Sequence, residues 1–348
     1  MTDAPRRPRR TSGRPSMTQV AERAGVSLGT VSHVLNHPDR VTEATRARVR
    51  AAMSELGFQR STVARTLAGG SSDAIGLVLT DLGNSLFVDL ARGATREAED
   101  AGMHVLLADG DNHVGRELTH LGVFDDLRVA GTMVTLSDEE HMAALLGARS
   151  SEIPLVLLNF TAPSAWYCSV AVDHRRGGHL ATRHLLDRGR TRLAFVGGPS
   201  ALRPVTQRRD GFRLALAEAG LEPAREVDPP EGINRADGAW AARELLDDVR
   251  AGRVDGIFAA SDLMAAGILE VLLRSGVAVP GDVALVGYDD NLAARDVPVP
   301  LTTVAQPGAE MGRRGARLVM DEARHPGIHR HEAVVLQPTL VVRASTGA

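Results

Sequence analysis

The sequence predicts a small all-α head at the N-terminus, a short hinge, and a larger α/β body of two lobes built on parallel sheets. Charge divides the chain first: residues 1–70 carry twelve Arg and five acidic residues, a net charge of +7, whereas the remainder carries −10. The apolar pattern changes at the same place, where helical spacing gives way to short apolar runs that alternate with amphipathic segments. A basic module joined to an acidic body is typical of proteins that bind nucleic acid through one domain.

The head is predicted to contain a helix-turn-helix over residues 17–36. A short amphipathic helix over 18–24 meets a turn at Gly25, and Ser27 is placed to cap a second helix that runs to Asn36. Apolar residues at helical spacing would hold the two helices together, namely Val20, Ala21, Ala24, Val26, Val31 and Leu35. In this motif the second helix enters the major groove of DNA, so the sequence predicts a DNA-binding head.

The same residues also match a motif from a different class of protein. Gly25 to Gly29 fit G-x-S-x-G, the nucleophile elbow of serine hydrolases. That elbow requires a buried strand before the serine, whereas a polar helix precedes Ser27. Ser27 is therefore interpreted as a helix cap, and no acid/base or nucleophile constellation supports an enzyme.

The head closely resembles the DNA-binding domain of the LacI/GalR (lactose-repressor/galactose-repressor) family. Residues 41–46 and 51–58 are similar to the start and end of that family's third helix, and residues 61–68 to its hinge helix. The resemblance implies base contacts from Leu28, Gly29 and His33. It also implies phosphate contacts, which position the protein without reading sequence, from Ser16, Ser27, Thr30, Ser32, Asn36, Thr42 and Thr45.

The hinge helix is expected to order only when two copies pack together on DNA, because eight residues are too few for a stable isolated helix. Leu67 is then the candidate apolar wedge in the minor groove. The basic tail over residues 1–15 is expected to be disordered.

The body alternates strand-like and helix-like segments, which indicates parallel sheets with helices on both faces. Strands are predicted over residues 75–80, 105–108, 132–136, 155–159, 193–196, 256–260 and 283–287. Helices are predicted over 87–101, 176–188, 207–219, 236–250 and 262–275. The body of the chain is too long to form a single sheet of this kind, so two lobes are expected.

The body resembles the two-lobed fold of periplasmic binding proteins, as the LacI/GalR family uses it. The stretch 81–87 is similar to the family's D-x-x-N-P-F-F, with Ser85 in place of proline, and 260–265 matches A-N-D-x-M-A, with Ser261 in place of asparagine. Further matches lie at 197–199, 208–212, 286–290, 300–307 and 336–346. The resemblance implies a helix-turn-helix domain at 16–59, a hinge at 60–71 and an effector and dimerisation domain at 72–348. It assigns 73–172 and 304–332 to the N-terminal lobe, and 173–303 and 333–346 to the C-terminal lobe.

The effector is expected between the lobes, because ligands of open α/β sheets bind beyond the carboxyl ends of the strands. Arg208 and Asp289 are the principal candidates, since a guanidinium and a carboxylate together can hold adjacent sugar hydroxyls. The other candidates are Phe87, Thr135, Asn159, Ser261 and Gln306. One cation beside one anion favours a neutral mono- or disaccharide over an anionic ligand, and a purine would need more aromatic surface than Phe87 and Phe160 offer.

The predicted function is that of a bacterial transcription regulator, acting as a repressor, with operator affinity controlled by a small sugar. The alternative is a cytoplasmic sugar-binding protein without a regulatory role, which leaves the basic head unexplained. In some LacI/GalR members a C-terminal tail of leucine heptads forms tetramers. No leucine heptads follow Arg343, so the resemblance implies a homodimer, bound to a pseudo-palindromic operator. The sequence has no signal peptide, no apolar run of membrane-spanning length and a single cysteine, which favours the cytoplasm and the nucleoid. No cofactor or metal is expected, and His325, His329 and His331 are interpreted as part of a solvated connector.

Overall fold

The computed structural model describes residues 15–58, 72–136, 138–148, 153–162 and 166–347. The chain divides into two compact units, of which the first ends at Gly70 and the second begins at Ser71. Most of the basic tail and the whole predicted hinge helix, including Leu67, lie outside the described residues. The predicted fold class, a helix-turn-helix head followed by a two-lobed α/β body, is confirmed.

The head consists of α1 (Met17–Ala24), α2 (Leu28–Asn36), a single turn of 3₁₀ helix (Pro38–Arg40) and α3 (Glu43–Leu56). Gly25 ends α1 with φ 63°, a left-handed conformation that favours glycine. Ser27 caps α2 by accepting the Thr30 amide at 3.1 Å. The head's core contains the expected apolar residues of α1, with Val26 and Leu35 only half-buried. Val34, which the sequence did not single out, is buried with them.

The body contains two six-stranded sheets with helices on both faces. The first sheet has the order β11–β5–β4–β3–β1–β2 and is parallel throughout. Its strands are β1 (Ala74–Leu79), β2 (His104–Asp109), β3 (Thr132–Thr135), β4 (Leu155–Leu158), β5 (Cys168–Val172) and β11 (Ala333–Leu336). The second sheet has the order β12–β10–β9–β8–β6–β7, in which only β12 is antiparallel. Its strands are β6 (Leu193–Val196), β7 (Arg225–Val227), β8 (Gly256–Ala259), β9 (Ala284–Asp289), β10 (Thr302–Ala305) and β12 (Thr339–Val341).

The helices of the body follow most strands of the sheets. They are α4 (Ser85–Asp100), α5 (Val114–Asp126), α6 (Glu139–Ala148), α7 (His174–Asp187), α8 (Arg203–Glu218), α9 (Arg235–Arg250), α10 (Asp262–Arg274), the short α11 (Leu292–Arg295) and α12 (Gly308–Arg324). The predicted helices are all present. Four helices lie outside the predicted ranges: α5 and α6, which cover the face of the first sheet opposite α4, and also α11 and α12. None of the helices in the described ranges is both long and apolar enough to cross a lipid bilayer.

The chain passes between the lobes three times, and two boundaries implied by the resemblance need correction. Residues 333–336 were assigned to the C-terminal lobe, but β11 pairs with β5 in the first sheet. Residues 304 and 305 were assigned to the N-terminal lobe, but β10 pairs with β9 in the second sheet. Strand pairing of this kind joins distant segments, so neither boundary follows from the local apolar pattern.

Glycines set the closest helix contacts of the body. A Cβ on Gly93 of α4 would lie 2.0 Å from the Ala309 carbonyl oxygen of α12. A Cβ on Gly178 of α7 would lie 2.0 Å from the Arg208 carbonyl oxygen of α8, and one on Gly211 of α8 would lie equally close to the Arg175 carbonyl. The backbones of α7 and α8 can approach only because these positions lack side chains. Their contact fixes the position of Arg208.

Candidate functional site

The outer face of α2 carries the three predicted base-contact residues. The Leu28 side chain is 50% exposed at the first turn of the helix, and Gly29 and His33 are exposed on the same helix. The His33 ring lies edge-on to His37, with 6.3 Å between the ring centroids. The buried residues Val31 and Val34 turn the opposite face of α2 into the head. Leu28, Gly29 and His33 therefore lie on the face of α2 that points away from the core of the head.

Several predicted phosphate contacts lie at helix N-termini. Ser16, Ser27 and Thr42 are the N-caps of α1, α2 and α3, and each hydroxyl accepts a backbone amide of the first turn. The Ser27 and Thr42 hydroxyls also pair with the hydroxyls of Thr30 and Thr45, at 2.9 and 3.0 Å. Helix N-termini attract phosphate through their free amides and dipoles. Ser32 is half-buried, and the backbone of Asn36 ends α2.

A cavity of about 300 Å³ lies between the two lobes of the body. It is bounded by the strand ends and helix starts that face each other across the cleft. Of the predicted effector-binding residues, Phe87, Asn159, Arg208, Asp289 and Gln306 line it, whereas Thr135 and Ser261 do not. The polar lining residues that the sequence interpretation missed are Thr80, Asp81, Asn84, Asn112, Glu231 and Asn234. The apolar lining includes Leu86, Leu202, Pro204, Val205, Ile233 and Leu263.

Arg208 and Asp289 form a buried pair at this cavity. Arg208 Nη2 lies 3.9 Å from Asp289 Oδ1, and both side chains are at most 4% exposed. The guanidinium sits 3.8 Å above the ring centroid of Tyr288, and its Nη1 donates to the Ala260 carbonyl. Asp289 has φ 119°, an unfavourable backbone angle that often marks functional positions. Burial raises the pKa of Asp289, while the Arg208 charge and the amides of Asn84 and Gln306 oppose that shift.

The amide of Gln306 completes the polar floor of the cavity. Its Nε2 donates to Asp289 Oδ1 at 2.6 Å, which directs the amide oxygen away from the carboxylate. That oxygen, Gln306 Oε1, is buried and has no hydrogen-bond partner among the described residues. A buried acceptor without a partner costs about 1–3 kcal/mol. A ligand hydroxyl donating to Gln306 Oε1 would recover this energy.

His174 connects Arg208 to Asn159, which belongs to the other lobe. Burial, with a smaller contribution from the Arg208 charge, lowers the pKa of His174 well below its usual value, so the ring is neutral at neutral pH. Arg208 Nε donates a hydrogen bond to His174 Nδ1 at 3.4 Å. His174 Nε2 then donates to Asn159 Oδ1 at 3.3 Å. The Asn159 amide is thereby oriented in the cavity wall. His174 was not among the residues selected from the sequence.

Thr135 and Ser261 do not line the cavity, but each is hydrogen-bonded to a residue that does. The Thr135 hydroxyl is buried and accepts the Thr80 backbone amide at 2.7 Å. Ser261 caps α10 and donates to the Ile233 carbonyl at 2.6 Å. Thr80 and Ile233 both line the cavity. The prediction of direct contacts from Thr135 and Ser261 therefore needs correction, because their hydroxyls are already engaged with backbone groups that shape the wall.

Asn84 joins the two lobes directly. Its Nδ2 donates to Asp289 Oδ2 at 3.0 Å, and its Oδ1 accepts from Asn291 Nδ2 at 3.1 Å. Beside it, the Ser85 hydroxyl accepts the Leu292 amide at 3.0 Å. Asn84 also caps α4, so it links the start of this helix to the second lobe. Asn84 belongs to the family motif at 81–87, which could have identified it, but only Phe87 was selected from that motif.

A second buried carboxyl group, Asp262, lies behind Asp289. Its carboxylate oxygens accept hydrogen bonds from the Thr303 hydroxyl at 2.6 Å and from the backbone amide of Asn291 at 3.0 Å. Burial, reinforced by the Asp289 charge, raises the pKa of Asp262 well above its usual value. Its contribution to the free energy of unfolding is therefore fully present below the unfolded-state pKa and is lost as pH rises from there through the folded-state pKa.

Both units of the chain match models of known protein families. Residues 16–61 match the model for bacterial regulatory proteins of the lacI family, and residues 182–346 match that for a periplasmic binding protein-like domain. The transcriptional regulator CelR of Thermobifida fusca is 34% identical, with 95% of this chain and 98% of that protein aligned.

Two solved structures cover nearly the whole chain. The lac repressor dimer bound to operator and the anti-inducer ONPF superposes with a TM-score of 0.84 at 26% identity, covering 97% of this chain and all of that one. The CelR–cellobiose complex superposes with a TM-score of 0.68 at 33% identity, covering 95% of this chain and all of that one. The capped recognition helix, the two-lobed body and these full-length similarities agree. The chain belongs to the lacI family of bacterial regulatory proteins and is a DNA-binding transcription regulator.

Proposed function

We propose that this regulator is a homodimeric repressor of a pseudo-palindromic operator, and that a neutral mono- or disaccharide bound between its lobes controls its affinity for DNA. The observation that carries the proposal is the set of hydrogen-bonding groups around the cavity. Arg208, Asp289, Asn159 and Gln306 all belong to its lining, and Gln306 Oε1 has no partner among the described residues. These groups suit a ligand that offers several hydroxyls.

Charge argues against an anionic ligand. The described lining contains Arg208 as its one cation but three acidic residues, Asp81, Glu231 and Asp289. The Arg208 charge is already balanced by Asp289 at 3.9 Å. A carboxylate or phosphate would bring an unbalanced charge into a site of low dielectric, where repulsion is strong. A neutral polyhydroxylated ligand avoids this cost.

Size and shape argue in the same direction. A volume of about 300 Å³ lies at the lower end of the range for small-molecule sites. Phe87 is the one aromatic side chain among the described lining residues, and Phe160 is instead buried beneath Arg203. A nucleobase sandwich therefore lacks its second ring. Leu202, Val205 and Ile233 supply an apolar wall suited to the C–H face of a sugar, and the CelR–cellobiose complex supports this ligand class.

Effector control would act through the contacts between the lobes. A ligand that hydrogen-bonds Asp289 competes with, or reinforces, the bonds from Asn84 and Gln306 to the same carboxylate. It therefore binds one lobe arrangement better than another, which is the requirement for coupling two sites. The hinge residues 61–68, with Leu67 as minor-groove wedge, are proposed to transmit this change to the operator.

Binding to genomic DNA fragments in the presence of a ligand panel tests the proposal. The full chain should retain a small set of fragments that share a pseudo-palindrome. Neutral mono- or disaccharides should change the retained fraction, whereas sugar phosphates and nucleobases should not. Unselective retention would contradict sequence-specific regulation. A response to a nucleobase or an anionic ligand would contradict the sugar assignment while leaving DNA binding intact.

We expect His33→Ala to weaken sequence preference more than general DNA affinity. His33 is exposed on α2 and offers ring nitrogens that can read one base edge, a contact worth about 1 kcal/mol or roughly fivefold in affinity. The measurement is the ratio of operator to random-DNA affinity, which should fall roughly five- to tenfold. His37→Ala is the matched control, because His37 is an exposed neighbour that follows the end of α2. Equal losses on both DNAs would assign His33 to phosphate contact instead.

A further inference from the structure

A cluster of metal-ligating side chains lies in the first lobe, away from the effector cavity. Cys168 begins β5, whereas His329 and His331 lie in the loop between α12 and β11. The Cys168 Sγ is 3.2 Å from His329 Nε2 and 3.8 Å from His331 Nδ1. The interpretation of these histidines as part of a solvated connector did not include the only cysteine of the chain, which folding brings to them from more than 160 residues away.

A fourth candidate donor, Glu322, lies beside the two histidines but outside the group of three whose ligand atoms converge. Its Oε2 lies 3.9 Å from His329 Nε2 and 3.9 Å from His331 Nδ1. This oxygen is buried and has no hydrogen-bond partner among the described residues. Tetrahedral zinc with ordinary bond lengths places neighbouring donor atoms about 3.3–3.6 Å apart. The distances from Cys168 to His329 and to His331 are close to that spacing, whereas the Glu322 side chain must move toward Cys168 to complete the set.

Hydrogen bonds from neighbouring residues orient two of these ligands, His329 and Cys168. Asp321 Oδ2 accepts from His329 Nδ1 at 2.7 Å, which directs Nε2 toward Cys168. Metal-binding histidines are commonly oriented by a carboxylate in this way. The Glu332 backbone amide donates to Cys168 Sγ at 3.4 Å, which helps to fix the position of the sulfur. His329 is 3% exposed and His331 26%, so the cluster is closed except on the His331 side.

We propose that Cys168, Glu322, His329 and His331 bind a zinc-like transition metal ion. Thiolate and imidazole donors select such ions over calcium and magnesium, which prefer oxygen. The ion would fasten the loop 325–332 to the first residue of β5. Because this loop leads directly into β11, the ion would also secure the edge strand from which the chain passes to the second lobe.

Metal titration of the full, tag-free chain tests this proposal. We expect one Zn²⁺ per chain, and Co²⁺ in its place should show a thiolate-to-cobalt charge-transfer band. Cys168→Ser should abolish the band, and His331→Ala should weaken Zn²⁺ binding by at least about tenfold. Asp321→Asn, which removes only an orienting group, should weaken it roughly 10- to 100-fold.

His325→Ala is the matched control within the same loop. His325 is exposed and contacts Asp321 but lies outside the cluster, so its loss should change Zn²⁺ affinity less than about threefold. A wild-type chain without the cobalt–thiolate band would overturn the proposal even if Cys168→Ser failed to fold. An equal loss in His325→Ala and His331→Ala would also overturn it, since it would indicate nonspecific binding by histidines.

Discussion

Asp289→Asn should reduce effector affinity by roughly 5- to 150-fold, equivalent to about 1–3 kcal/mol. Each carboxylate oxygen of Asp289 accepts a different amide, Oδ2 from Asn84 and Oδ1 from Gln306. Asparagine keeps the shape but offers one oxygen, so its own NH₂ must face one of these donors. Arg208 would at the same time lose its counter-charge in a buried site. Calorimetric titration with the sugar identified in the ligand panel measures the loss.

Asp290→Asn is the matched control for this substitution. Asp290 is the next residue but does not line the cavity, and its carboxylate instead pairs with Arg295 and Arg343. Its substitution should change effector affinity less than about threefold. Unchanged affinity in Asp289→Asn would remove this carboxylate from the effector site. An equal loss in both variants would attribute the effect to the second lobe as a whole.

Gly178→Ala should destabilise the body by about 3 kcal/mol or more and should also impair effector binding. The added Cβ would lie 2.0 Å from the Arg208 carbonyl oxygen. Overpacking typically costs about 1–3 kcal/mol, and a backbone carbonyl cannot rotate away as a side chain can. To relieve the clash α8 must move, and Arg208 with it. Thermal denaturation should show Tm lowered by roughly 6–12 °C.

Gly122→Ala provides a control with the opposite sign. Gly122 lies in α5, and a Cβ there would meet no atom within 4 Å. Alanine in such a position should stabilise the helix by about 0.5–1 kcal/mol, because glycine has more backbone freedom to lose. If Gly178→Ala left Tm unchanged, or lowered Tm while effector affinity stayed at the wild-type value, the contact would not be what positions Arg208.

The sequence predicted the elements that depend on local pattern. The caps and the turn at Gly25 defined the head because each acts within a few residues. Apolar runs located the main strands, and family motifs selected Arg208 and Asp289. The predicted helix ranges did not include α5 and α6, because charged and polar residues interrupt the apolar pattern of these helices.

What the sequence could not show depends on contacts between distant segments. Asn84 and Asp289 are 205 residues apart, and Cys168 and His329 are 161 residues apart. No periodicity within either segment records such a pairing. Thr135 and Ser261 were selected because they follow strands, but their hydroxyls turn toward backbone groups. Position at a strand end is therefore weaker evidence of ligand contact than an unpartnered acceptor such as Gln306 Oε1.

The repeated passage of the chain between the lobes also constrains how the protein folds during synthesis. The first sheet has five of its strands by Val172, but α12 ends only at Arg324. Met311, Val319 and Met320 of this helix complete the apolar core above Leu77, Val156 and Val170. At about 5–20 residues per second, a ribosome needs roughly 8–30 s to add the intervening chain. During that interval the face of the sheet that α4 covers lacks the second of its two helices, so the nascent first lobe is exposed to aggregation until most of the second lobe has been translated.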